Sequence, residues 1–142
     1  MDDTALINCI KEHEGSQRYA YSDSLGYITV GIGRCLDRRR GKGLSSQEQT
    51  YLLSNDIQEC KDELEPLSWY QMQDDVRKCV LIEMCFNMGA ANLFAFHKMI
   101  ASLKDRDYKQ ATQEMRSSLW ASQISRDRLE NMCFRMTHGQ YP

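Results

Sequence analysis

The sequence predicts an α+β fold, with a small N-terminal lobe built on a β-hairpin or small sheet, a long connecting helix and a larger all-helical C-terminal lobe. Three observations lead there. Strand-like alternation is confined to residues 18–33, where Ile28, Val30 and Ile32 alternate with Thr29 and Gly31. Every later apolar pattern steps by three and four residues, the period of a helix. Finally, 142 residues with 42% apolar and 27% charged side chains make a globular chain of one domain's length, able to bury a core without staples.

The first helix covers residues 4–13, capped by Asp3 or Thr4, with Leu6, Ile7 and Ile10 as its apolar stripe. Stepping on from Ile7 through Ile10 by three and four residues reaches Glu14, and Gly15 stops the helix directly after it. Residues 18–33 form the hairpin, turning through Ser22-Asp23-Ser24-Leu25-Gly26, with Gly31 and Gly33 leaving room for close backbone approach. Residues 34–43 read as a loop, the most basic stretch of the chain, with Arg34, Arg38, Arg39, Arg40 and Lys42. Ser45 with Glu48 three residues on is a capping box, and Leu53, Ile57, Cys60 and Leu64 carry a helix to Pro66. About 20 residues make it roughly 30 Å long, and Asp56, Glu59, Asp62 and Glu63 form its acidic side. Asp74 opens a helix that is apolar nearly all round and stops at Gly89, the pattern of a central core helix. A helix over 92–104 follows, with Leu93, Phe96, Ile100 and Leu103 on one face. Asp107 caps a helix running to about Trp120 with Tyr108, Ala111, Met115 and Leu119 inward; Ser125 caps the last, which stops at Gly139.

The chemistry concentrates near the N-terminus. Glu14 ends an apolar stripe, and a carboxyl at the edge of an apolar pocket has its pKa raised, as a general acid requires. Asp23 sits in a wet turn, and Thr29 points to the opposite face from Ile28 and Val30, onto the same polar side as Asp23. One carboxyl in an apolar setting, one in a polar loop and a hydroxyl to aim a water is the chemistry of glycoside hydrolysis. A nucleophilic Asp has no need of Thr29, whereas an attacking water does, so inversion is the expected outcome.

These residues carry a resemblance. Glu14-Gly15, Asp23 nine residues after Glu14, Thr29 six further on and Gly31-Ile32-Gly33 resemble the motif of T4-type phage lysozymes, the endolysins of glycoside hydrolase family 24. Ser46 to Ile57 is similar to that family's inter-lobe helix, and Arg77 to Gly89, with Phe86-Asn87-Met88-Gly89, to its buried central helix. Trp120, Gln123, Arg128 and the ending Gly139-Gln140-Tyr141-Pro142 resemble its C-terminal helices. The resemblance implies one lysozyme domain over 1–142: an N-terminal lobe at about 13–60, an inter-lobe helix at about 45–64, and a helical lobe at about 66–142 that includes the first helix. It implies a cleft between the lobes, walled by the hairpin and by Phe86-Asn87. It further implies Glu14 as acid, Asp23 as base, Thr29 as the water's guide, and Phe86 and Asn87 as substrate contacts. Trp120 and Gln123 look structural. The family sets a positive charge against the catalytic Glu, and Arg128 or Arg126 fills that position here. Arg34 stands where such enzymes carry a histidine, with Asp56 as its expected partner. The substrate so implied is the β-1,4 bond between N-acetylmuramic acid and N-acetylglucosamine in peptidoglycan.

Composition bounds the rest. Cys9, Cys35, Cys60, Cys79, Cys85 and Cys133 include no Cys-x-x-Cys pair, which favours six free thiols and no metal or other cofactor. A net charge of −2 argues against a nucleic-acid binder, and the basic loop lacks interleaved aromatics. The acidic start Met1-Asp2-Asp3-Thr4 has no signal-peptide pattern and no stretch reaches membrane-span length, so the chain is expected to stay in the cytoplasm without membrane insertion. The resemblance to endolysins implies a monomer in the host cell that depends on a holin for access to the wall. The rival class is a non-catalytic peptidoglycan-binding module on the same scaffold, which predicts that the acid, the base or the threonine is missing; all three are present. A lytic transglycosylase typically needs the Glu without the Asp.

Overall fold

The computed structural model describes residues 3–142 and has the α+β, lysozyme-like architecture expected: helices throughout and one small antiparallel sheet. It divides into two compact units, one ending at Leu52 and the other Leu53–Pro142. The long helix α2, Ser46–Leu64, runs from the first into the second.

In the first unit, α1 spans Thr4–Glu14 and ends where Gly15 donates its N–H to Lys11 O. Asp3 stands at its N-cap and makes no side-chain capping bond. The helix buries none of its residues, so the Leu6, Ile7 and Ile10 stripe does not build the expected apolar setting for Glu14, which is itself exposed. The sheet has the order β1-β2-β3, with β1 Gln17–Ser22 and β2 Ile28–Gly31 antiparallel and Tyr21 opposite Thr29. Its third strand, β3 Arg34–Cys35, lies where the sequence reads as loop. The cause is the tight turn at Ile32-Gly33: Gly33 adopts φ +72°, which returns the chain at once so that Val30 faces Arg34. Ser45 caps α2 as its motif predicts, accepting the Glu48 N–H at 3.2 Å while its hydroxyl donates to Glu48 Oε1.

The second unit is helical. After Pro66 comes a short helix α3, Ser68–Gln71, and then α4, Asp75–Met88, capped by Asp74, whose side chain accepts from Arg77 N. Val80, Leu81, Met84 and Cys85 of α4 are buried with Leu64, Leu93, Met99, Leu103, Met115, Met132 and Met136. Unbranched methionines fill the gaps between helices of uneven crossing. The single helix expected at 92–104 is two, α5 Ala90–Phe94 and α6 His97–Lys104. The break points Phe94 at Trp69 and Phe96 at Trp120, both edge-to-face at 6.4 and 6.3 Å. Likewise α7, Tyr108–Arg116, stops short of Trp120, which lies in a 3-10 turn, Trp120–Ser122. The Ser118 hydroxyl donates to Met115 O at 2.7 Å and accepts from Ala121 N, competing with the helical ladder. Leu119, expected inward on a continuous helix, is therefore 76% exposed. The last helix, α8 Arg126–His138, is capped by Ser125 and closed by Gly139 in the left-handed conformation.

Polar side chains tie these helices together. Arg77 reaches from α4 to the end of α8, donating to Met136 O at 2.7 Å and Thr137 O at 2.9 Å, with its guanidinium 3.5 Å from the Tyr108 ring centre. It satisfies carbonyls that the helix end leaves unpaired. Buried Gln73 donates to Trp69 O and Leu103 O and accepts from the Tyr108 hydroxyl. Arg135, also buried, donates to Glu83 and Asn131. Among the described residues no helix is long and apolar enough to cross a membrane, and no cluster of three or more His, Cys, Asp or Glu is set to hold a metal ion.

All six thiols are free, but their environments differ: Cys9 and Cys79 are exposed, Cys60, Cys85 and Cys133 buried. Burial, helped by the neighbouring Cys60 thiol, pushes Cys85 up to about 12, and burial raises Cys133. Titration of the native protein with an aromatic disulfide reagent near pH 8 is expected to label Cys9 and Cys79 rapidly, and Cys60, Cys85 and Cys133 only on unfolding. The total in denaturant should be six, and four or fewer in unoxidised protein would refute it.

Candidate active site

Glu14, Asp23 and Thr29 all belong to the first unit. Glu14 is the last residue of α1, and its carboxylate lies against the β2–β3 turn: a Cβ added at Gly33 would stand 2.8 Å from Glu14 Oε2 and 3.1 Å from its Cδ. The second glycine of Gly31-Ile32-Gly33 is thus required twice, for its positive φ and for the space Glu14 occupies. No atom comes comparably close to Gly31.

Asp23 is half-buried at the start of the β1–β2 turn. Its Oδ1 accepts from the N–H groups of Leu25 and Tyr27, both at 2.9 Å, while its own N–H donates to Tyr27 O at 2.9 Å. This is an Asx turn, in which the side chain stands in for a backbone carbonyl. Both side-chain bonds fall on Oδ1, so Oδ2 is the oxygen left to meet a ligand. Thr29 is 4% exposed, and its hydroxyl donates to Tyr27 O at 3.0 Å. With its proton so committed, Thr29 Oγ1 offers lone pairs and acts as an acceptor. Because Tyr21 pairs with Thr29 and side chains alternate, Tyr21, Asp23 and Thr29 share one face of the hairpin.

The basic segment after β3 is more ordered than a solvated loop. Asp37, 6% exposed, accepts from Ile28 N at 3.2 Å and from Arg39 through its backbone N, Nε and Nη2 at 3.0, 2.9 and 2.7 Å. The Arg39 fork, with the backbone N–H groups of Arg39 and Ile28, holds the Asp37 carboxyl well below the usual carboxylate range. Arg39 and Arg40 both lie over the Tyr27 ring, at 5.1 and 5.3 Å. Sequence reading missed Asp37; the only signal was a lone acid within an arginine run. Arg34 corrects a second expectation. It pairs with Glu48 in the first turn of α2, where Asp56 was expected, and donates to Gly43 O at 3.3 Å. Glu48 is within reach because the capping box fixes it beside Ser45; the Arg34 bond lowers its pKa.

The remaining candidates belong to the second unit. Phe86 is 46% exposed near the end of α4, and with Asp56 it lines a groove of about 470 Å³ that also includes Glu59, Glu63, Gly89 and Ala90. Asn87 accepts from Trp120 Nε1 at 2.8 Å, which joins α4 to the 3-10 turn and supports a structural part for Trp120. Arg128 donates to Glu83 at 3.2 Å through Nε, in an ion-pair cluster completed by Arg135.

The family model for phage lysozyme matches residues 11–133. The chain belongs to the phage lysozyme family. Two curated relatives are the probable T4-type lysozymes 1 and 2 of Dictyostelium discoideum, 23% and 25% identical over 147 residues, covering 84% of this chain and 86% of each relative. A third is the pre-baseplate central spike protein Gp5 of Enterobacteria phage T4, 23% identical over 145 residues, which cover 84% of this chain and 25% of that one. The activity that goes with membership of the phage lysozyme family is that of a lysozyme, a glycosidase. Glu14, Asp23, Thr29, Phe86, Asn87 and Arg128 all fall inside the family match.

The contact between Glu14 and Gly33 yields a test. Gly33→Ala puts a Cβ on the Glu14 carboxylate and costs about 1–2 kcal/mol for a side chain at positive φ. Melting should fall by a few degrees, whereas activity should fall much further, because Glu14 is displaced. A variant with wild-type turnover would show that the Glu14 position is not set by Gly33.

Proposed function

We propose that the protein is an inverting N-acetylmuramidase, cutting the β-1,4 bond between N-acetylmuramic acid and N-acetylglucosamine in bacterial peptidoglycan. Glu14 protonates the glycosidic oxygen, and Asp23 is the general base. Thr29 aims the water. The observation that carries this reading is the Asp23–Tyr27–Thr29 hydrogen-bond set. Asp23 retains Oδ2 to take one water proton, and Thr29 Oγ1, its own proton spent on Tyr27 O, accepts the other. A water held by two acceptors turns a lone pair outward toward an anomeric carbon. A nucleophilic Asp would need no such second acceptor.

Phe86 offers an exposed ring and Asn87 a carboxamide N–H for sugar contacts. Arg128, or Arg126, is the cation given a supporting part here, as the family resemblance implies. As in endolysins, which the sequence resembles, a monomer would accumulate in the host cytoplasm and reach the wall through a holin lesion. A non-catalytic wall-binding module would have no use for an ordered acid, base and threonine.

Two measurements test this. Glu14→Gln should leave folding intact and lower turnover of purified peptidoglycan by about 10²–10⁴-fold, the usual worth of a positioned proton donor. Near-wild-type turnover would remove Glu14 from the mechanism. Separately, NMR of the first product before mutarotation should show the α anomer. Retaining enzymes bring their carboxyls to about 5–5.5 Å, inverting ones leave about 6.5–9.5 Å for water, and a β-anomeric first product would overturn inversion.

A further inference from the structure

We propose that the Asp37–Arg39 pair is a positioning device for the hydrolytic water: it fixes the backbone on both sides of Tyr27, whose peptide group sets Asp23 and Thr29 relative to one another. This rests on the reading of Asp23 and Thr29 given above.

The Tyr27 residue is the junction. Its N–H donates to Asp23 Oδ1, and its carbonyl accepts from both Asp23 N and Thr29 Oγ1. Any tilt of this backbone moves the carboxylate against the hydroxyl. The clamp grips each neighbour. Arg39 Nη2 donates to Gly26 O at 3.1 Å, and Asp37 Oδ2 accepts from Ile28 N at 3.2 Å. Ile28 O in turn accepts from Leu36 N at 2.8 Å and Asp37 N at 3.1 Å. The Arg39 guanidinium lies over the Tyr27 ring itself. Residues 26, 27 and 28 are thus held consecutively, and Thr29 follows. The two residues of the clamp are joined by a fork of Nε and Nη2 on the two carboxylate oxygens, a rigid planar geometry that a lysine cannot reproduce. The held carboxyl stays ionised throughout the range in which such an enzyme works, so the clamp does not open with pH. A displacement of about 1 Å at a reacting group costs on the order of 10²-fold in rate, so a device that orders this turn acts on turnover more than on binding.

The test is a double-mutant cycle with Arg39→Gln and Thr29→Ala, read as kcat and KM on soluble glycan strands of peptidoglycan, alongside thermal melting. Arg39→Gln is expected to lower kcat about 10–100-fold with KM within twofold. Arg39→Lys should not restore it, since one ammonium cannot serve Asp37 and Gly26 O together. Combined with Thr29→Ala, Arg39→Gln should add little, leaving kcat within about twofold of Thr29→Ala alone. Wild-type kcat in Arg39→Gln, full rescue by lysine, or losses that simply multiply would each overturn the proposal. Should Arg39→Gln fail to fold, Arg39→Lys replaces it in the same cycle with the same criteria. If Thr29→Ala and Glu14→Gln themselves keep wild-type turnover, the catalytic reading falls and the clamp with it; if they lose turnover while Arg39→Gln does not, only the clamp falls.

Discussion

The backbone of Tyr27 is the constraint on which the first unit turns. A hairpin needs its turn closed, and here the closing bonds run through Asp23: main chain to main chain in one direction, carboxylate to amide in the other. The same carbonyl takes the Thr29 hydroxyl. Both structural bonds fall on Oδ1, which leaves Oδ2 for the part proposed for Asp23 as base.

Glycine solves the matching problem for Glu14. The helix that bears it is short and buries nothing, so it cannot hold its last side chain by packing. The turn at Gly33 lets the sheet backbone come up to the carboxylate instead. Main chain and side chain thus approach so closely that a Cβ at Gly33 would displace the carboxylate.

Elsewhere the chain uses charge as a cross-link. Arg34–Glu48, Arg77 on the α8 carbonyls and Arg135 with Glu83 each join segments distant in sequence, while Asp37–Arg39 closes a turn within one loop. Arg135 and Asp37 are buried, and removing either partner of such a pair leaves a charge without its counterpart, which is where ionic pairs matter most. Arg34 taking Glu48 instead of Asp56 is an instance of an ion pair whose sequence position does not foretell its partner.

The sequence by itself determined the class of fold and most helix starts. Caps are local: Ser45, Asp74, Asp107 and Ser125 each satisfy amides within three residues, so their bonds follow from spacing alone. The same holds for the alternation that turns Thr29 to the opposite face from Ile28 and Val30, and for the ordered motif from Glu14 to Gly33 that carries the family. Tertiary structure decided the rest. Whether Ala90–Lys104 is one helix or two depends on where Trp69 and Trp120 accept Phe94 and Phe96, and the exposure of Leu119 follows from serine hydroxyls that compete with the ladder. The third strand, the Asp37 clamp and the choice of Glu48 for Arg34 needed the turn at Gly33 to fold the chain back first. Local hydrogen bonds are written in residue spacing; contacts between segments depend on geometry that no spacing encodes.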